Sequence, residues 1–167
     1  MSILLSQSGQ QQLGVGDLQL GDVLLTGDGG SAKYLRGTGE YGHGAIVIGA
    51  EGERLEVLSS DNRGIYTAFN DDPAVGGRSW DVFRAQGVEA ARLGAFARGV
   101  ATEGGLRQYF GNAGGNVCTS VCARGLEAAG GPVVPRSVGG LVTPNALGRA
   151  LGPPIGRIDV PLLRRVP

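Results

Sequence analysis

YGHGAIVIG, residues 41–49, holds the only histidine of the 167-residue chain inside an apolar run that reads as a β-strand. Alternation along such a strand sets His43, Ala45 and Val47 on one face and Gly44, Ile46 and Ile48 on the other. A polar ring at the start of an apolar strand needs a partner. NVCTSVCARGLEAAG, residues 116–130, offers one, because Cys118 opens a stretch with helical character. An imidazole beside a thiol at a helix mouth is an arrangement that activates a sulfur nucleophile.

Outward from the histidine strand, the first half of the chain reads mainly as strands. LGDVLLTG (20–27) precedes it, and SAKYLRG (31–37) reads as a helical turn leading to the polar loop GTGEY. RLEVLSS (54–60), GIYTAFN (64–70) and SWDVFRA (79–85) follow as further strands, separated by Gly, Asn, Asp and Pro. VEAARLGAFARGVAT (88–102) is alanine-rich, with Leu93, Phe96 and Val100 at helical spacing, and predicts a helix despite Gly94 and Gly99. Residues 109–115 read as a glycine-rich loop. The cysteine helix is predicted over 117–129, stopping at Gly130-Gly131-Pro132. TPNALGRAL (143–151) predicts a short helix with Thr143 as N-cap and Pro144 at the first position, and RIDVPLL (157–163) an edge strand.

A chain of this length fits one domain, 1–167, with 1–15 as a peripheral N-terminal segment; it is large enough to bury about 70% of its unfolded surface. Fifteen basic residues balance fifteen acidic ones and are scattered, so the electrostatic footprint of a nucleic-acid binder is missing. No apolar stretch approaches the roughly 20 residues that a membrane span requires, and the N-terminal MSILLSQSGQQQLG lacks the basic start and cleavage site of a Sec signal. A soluble protein without a membrane span is expected. The two cysteines are spaced Cys-Thr-Ser-Val-Cys, and with one histidine they complete no zinc set unless carboxylates help. No metal and no cofactor is expected.

Asn116 as cap would place Cys118 in the first helical turn, where unpaired N–H groups and the helix dipole favour a thiolate. Cys118, Val121, Cys122, Gly125 and Ala129 make a stripe of small residues that lets the helix lie close against a sheet, with Cys122 one turn deeper as a buried apolar residue. Glu56, on the strand after His43, is the candidate for orienting the imidazole. The geometry is specific: GAEGE (49–53) should form a hairpin, and a register setting Glu56 opposite Ala45 brings it diagonal to His43. A register of the other parity points Glu56 away. The backbone N–H of Cys118 and the hydroxyl of Tyr41 are the oxyanion-hole candidates. The bland alternatives are a buried inert thiol, a satisfied core histidine, a solvent-facing Glu56 and a rim aromatic at Tyr41.

The order GDVLLTG, YGHGAIVIG, LEVLSSDNRGIY, VCTSVCARGLEAAG, LVTPNAL resembles the circularly permuted branch of the NlpC-type papain-like superfamily over roughly residues 20–150, with the order carrying more information than any one motif. The resemblance implies an α+β, permuted papain-like fold, with an antiparallel sheet packed against a central helix that carries the cysteine at its N-terminus. It implies Cys118 as nucleophile, His43 as general base and Glu56 as third member of a triad that hydrolyses an amide through a thioester. Thr119 and Ser120 match the small polar positions after that cysteine, whereas Cys122 stands where an aliphatic residue is expected. A peptidoglycan stem peptide is the leading substrate. A bacterial effector or toxin, exported by a specialised secretion route and matched by an immunity protein or a secretion-system partner, fits that reading. A lipid acylhydrolase or acyltransferase of the lecithin-retinol acyltransferase type is the rival enzyme, lacking here the second histidine usual in that branch. A noncatalytic binding module on the same fold is the alternative of a different class.

Overall fold

A computed structural model describes residues 10–27, 41–61, 63–101, 117–137 and 140–164. The elements are β1 (Gln12–Leu13), a 3-10 turn (Val15–Asp17), β2 (Val23–Thr26), β3 (His43–Glu51), β4 (Arg54–Asp61), β5 (Gly64–Phe69), β6 (Arg78–Phe83), α1 (Ala90–Ala101), α2 (Cys118–Ala128), α3 (Pro144–Leu151) and β7 (Gly156–Val160). They form a mixed α+β structure built on one seven-stranded sheet of order β1-β7-β6-β2-β3-β4-β5. Every neighbouring pair is antiparallel except β1–β7, so the sheet is mixed where an antiparallel one was expected. Two further expectations are corrected at that edge. β7 is an interior strand, because Gln12 and Leu13 pair with Arg157 and Ile158. The segment expected to be peripheral therefore contributes a strand and two buried side chains, Leu13 and Val15.

Strand alternation divides the core in two. Val23, Leu25, Ile46, Leu58, Ile65 and Phe83 face the helices, meeting Leu93, Val121, Cys122, Leu126 and Leu147. Leu24, Ala45, Val47, Val57, Trp80 and Ile158 face the other side, where Leu13, Val15, Leu18 and Val75 close over them. Both faces of β2 and β3 are thus buried, which is why VLLT and HGAIV read as nearly continuous apolar runs.

The β3–β4 hairpin turns through Gly52 and Glu53, with Gly52 at φ 60°, a left-handed value at which glycine carries no Cβ penalty. A bulge interrupts the ladder between Val47 and Gly49. α1 presents Leu93, Ala97 and Val100 to the core, as the spacing predicts, with Phe96 partly buried. α2 stops where Gly130 takes φ 82°, and its N-cap position is Val117, with no side-chain cap. The capping proposed for Asn116, the helical turn at 31–37 and the loop at 109–115 lie outside the described residues. α3 follows its sequence signature: the Thr143 hydroxyl accepts from the Ala146 N–H, and Pro144 occupies the first turn. Among the described residues no helix is long and apolar enough to cross a membrane.

Candidate functional site

Cys118 is the first residue of α2 and is completely buried. The helix is seated on β3 and β4, and the residues of the expected small stripe, Val121, Cys122, Gly125 and Ala129, are all buried, but Gly125 faces Leu93 and Phe96 of α1 and not the sheet. Contact is tightest at Gly44, where a Cβ would stand 2.6 Å from the Thr119 methyl and 2.9 Å from Leu25 Cδ2. Glycine at this position lets the helix start come down onto the strand start. Thr119 and Ser120 then fasten the next segment: the Thr119 hydroxyl donates to the Val142 carbonyl, and the Ser120 hydroxyl accepts from the Val142 N–H at 2.9 Å. Burial pushes the Cys118 thiol up to about 11, partly opposed by the backbone amides of Gly44 and Thr119 beside the sulfur. Cys122 is likewise buried and pushed well up by loss of hydration.

His43 is 5% exposed and begins β3. Its ring packs at 45° to the indole of Trp80, centroids 5.9 Å apart, and Trp80 belongs to the face away from the helices. His43 and Cys118 therefore approach the Gly44 backbone from opposite sides of the sheet, and no hydrogen bond joins them. The ring touches Ser59 instead, with Oγ 3.4 Å from Nε2. Nδ1 has no hydrogen-bond partner among the described residues. Burial lowers the imidazole to about 4, assisted by the Arg78 and Arg63 charges and opposed by Asp61. The ring is neutral at physiological pH.

Glu56 is not where the triad requires it. It pairs with Gly49, six residues along β3 from His43, roughly 20 Å away at strand rise. The register near His43, Ile46 opposite Leu58 and Val47 opposite Val57, has the parity that sends Glu56 and His43 to different faces. Carried one residue further, that register sets Ser59 opposite Ala45, the position expected for Glu56. Ser59 was missed because its signal is register: the tight turn at Gly52 and Glu53 moves the pairing four residues from the expected one, and the Val47–Gly49 bulge moves it back by one.

Tyr41 is also committed elsewhere. Its hydroxyl donates to Asp81 Oδ2, and its ring stands edge-on to Phe83, centroids 5.8 Å apart. Its backbone is held on both sides by Asn145: the Tyr41 N–H donates to Oδ1 at 3.0 Å and Nδ2 donates to the Tyr41 carbonyl at 3.1 Å. A phenol proton engaged by a carboxylate is not a free oxyanion donor in this arrangement. Asp81 and Asn145, both nearly buried, are polar neighbours of the site that the sequence reading did not single out.

The carboxylate whose charge reaches the histidine is Asp61, and it is felt by both the imidazole and the thiol. Arg63 holds it through Nε and Nη2 and reaches Asp72 through Nη1, both ion pairs at 2.8 Å. The Arg63 guanidinium lies 4.2 Å from the centre of the Tyr66 ring. Tyr66 pairs with Ser59 across β4–β5, and its buried hydroxyl has no hydrogen-bond partner among the described residues.

No family model matches the chain, and no curated protein or solved structure matches it. What defines it is the arrangement itself: a mixed α+β sheet structure with a fully buried thiol at a helix start and a neutral, partly unsatisfied imidazole on the adjoining strand.

Proposed function

We propose that the protein is a thiol hydrolase of permuted papain-like fold that cleaves an amide bond, with Cys118 as nucleophile and His43 as base. The observation that carries this reading is the convergence of Cys118 and His43 on Gly44. The helix-start sulfur lies beside the Gly44 and Thr119 amides, groups that stabilise a thiolate, while the preceding residue carries a neutral imidazole with an open Nδ1. A base that is neutral at pH 7 is in the protonation state needed to accept a proton. In the reaction His43 takes the Cys118 proton, the sulfur attacks the carbonyl carbon, and the imidazolium returns the proton to the departing amine; water then hydrolyses the thioester. This chemistry requires a hydrogen bond between His43 and Cys118, and the proposal therefore includes a rearrangement that brings the imidazole to the sulfur. A stem-peptide amide of peptidoglycan is the proposed substrate.

Two observations favour a second reading, a noncatalytic module on the same fold: the thiol is held near 11, and it makes no hydrogen bond to the imidazole. One experiment separates the two. Iodoacetamide labelling mapped by fragment mass spectrometry should modify Cys118 at pH 7 in the wild type and fail in His43→Ala if the hydrolase reading holds. Labelling that rises only as the pH approaches 11, and is indifferent to His43, removes it. With a reactive thiol in hand, absence of new amine termini in digested peptidoglycan removes the cell-wall substrate alone.

A further inference from the structure

We infer that Ser59 is the positioning residue of the site: it holds the imidazole proton on Nε2 and so makes Nδ1 the basic nitrogen of His43. Ser59 is 1% exposed, and its hydroxyl has one proton to give. The Gly44 carbonyl lies 2.8 Å from Oγ and His43 Nε2 3.4 Å; the Tyr66 hydroxyl is also a neighbour of Ser59, without a hydrogen bond of usual geometry. A carbonyl can only accept, and 2.8 Å is the usual O–H···O separation, so the proton goes to Gly44. Oγ then has only lone pairs to offer the ring, and Nε2 must be the nitrogen that carries hydrogen.

The other ring nitrogen supports the same assignment independently. Nδ1 is buried without a hydrogen-bond partner among the described residues. With the proton on Nδ1, a buried N–H would be unpaired and the Nε2 lone pair would face an oxygen whose proton is spent. With the proton on Nε2, only a lone pair is left open, the less costly orphan in an interior. The same hydroxyl ties the ring to the strand, because the Gly44 carbonyl it holds belongs to the next residue.

The chemical meaning of this assignment rests on the thiol-hydrolase reading. There, the Cys118 S–H bond breaks and an Nδ1–H bond forms, giving thiolate and imidazolium, while Nε2–H stays on Ser59 throughout. A serine in this role orients the ring without adding a negative charge to stabilise the imidazolium.

A single histidine makes the test unambiguous. Long-range 1H–15N correlation spectra of the 15N-labelled full chain at pH 7.5 should show Nε2 at a protonated, pyrrole-type shift and Nδ1 at an unprotonated, pyridine-type shift. Ser59→Ala should lose that separation and give the averaged shifts of a ring exchanging between tautomers, and Ser59→Thr, which keeps the hydroxyl, should restore it. A wild-type ring protonated on Nδ1, or an unchanged Nε2–H pattern in Ser59→Ala, overturns the assignment. Should Ser59→Ala not fold, the wild-type and Ser59→Thr spectra still decide it. The spectrum reads a tautomer and not turnover, so an unreactive Cys118 beside an Nε2-protonated ring removes the hydrolase reading and leaves Ser59 in place.

Discussion

The two faces of the sheet are finished in different ways. On the helix face, close approach is obtained with small residues: Gly44 under Thr119, Gly125 under Leu93 and Phe96, and a cysteine stripe whose sulfurs are dry. At the start of the cysteine helix the polar groups are tied down, Thr119 and Ser120 on Val142 and Asn145 on Tyr41, although further along this face Ser60 Oγ and Glu127 Oε1 lie buried without a hydrogen-bond partner among the described residues. On the far face, Trp80 fills the space beside His43, its Nε1 donating to the Val75 carbonyl at 3.2 Å, and two polar groups of that face are left partly unsatisfied: His43 Nδ1 and the Tyr66 hydroxyl. A satisfied interior resists change, whereas unpaired buried polar atoms hold reserves that a proton, a water or a conformational change can draw on. The corner of Gly44, Thr119 and Ser120 is built for position and the surroundings of His43 for response.

The largest consequence of this difference is in acid. His43 is lowered from 6.5 to about 4 by burial first, so the unfolded chain binds its proton before the folded one does. The sign follows. Above pH 6.5 the ring is neutral in both states, and stability is lost as the pH falls from 6.5 through 4. Two and a half units correspond to about 3 kcal/mol. Urea unfolding of the wild type between pH 7.5 and 4 should therefore show a loss about 3 kcal/mol greater than that of His43→Gln, in which the other titrating groups are retained. Equal losses in the two proteins would mean that the far face accommodates a charged ring and the contrast between the faces fails.

Next in size is a probe of the helix face. Gly44→Ala drives a methyl to within 2.6 Å of the Thr119 methyl and 2.9 Å of Leu25 Cδ2, and Thr119 is held in place by its hydrogen bond to the Val142 carbonyl. Overpacking of this kind costs about 1–3 kcal/mol. The expected result is a lowered urea midpoint together with a changed alkylation profile at Cys118, while the His43 tautomer stays as in the wild type. A tautomer change in Gly44→Ala would show that the two faces are mechanically one.

Much of this architecture was legible in the sequence because local rules governed it. Residues 43–51 carry an apolar run and 54–61, 64–69 and 78–83 strand-forming residues, all bounded by turn residues, α1 carries helical spacing, and Thr143-Pro144 carries a cap signature that α3 uses as written. The small stripe of α2 announced close packing. What stayed illegible depends on pairing. The tight turn at Gly52 and Glu53 moves the β4 pairing four residues from the expected one, and the bulge between Val47 and Gly49, which leaves no mark in composition, moves it back by one, so that Ser59 and not Glu56 stands beside His43. Trp80, Asp81 and Asn145 belong to strands and helices remote in sequence, and only the β2–β6 and β2–β3 registers bring β6 toward the histidine strand. The parallel β1–β7 pair escaped for the same reason, two residues being too short for any periodicity.

One charge crosses the division between the faces, and it supplies the smallest expected effect. Asp61 raises both the imidazole and the thiol, although the two sit on different sides of β3. Arg63 already neutralises much of it through paired contacts, so its net field at either site is weak. Asp61→Asn should therefore move His43 and Cys118 in the same direction, downward, each by about half a pH unit or less. His43 is read by NMR titration and Cys118 by the pH dependence of alkylation. A common downward shift means that the field of Asp61 reaches both groups while packing keeps them apart. A shift of His43 alone would show that the sheet screens the helix face completely. A shift in opposite directions would mean that Arg63, once released, has moved to a new partner on one side only, and the electrostatic link between the faces would then be the guanidinium and not the carboxylate.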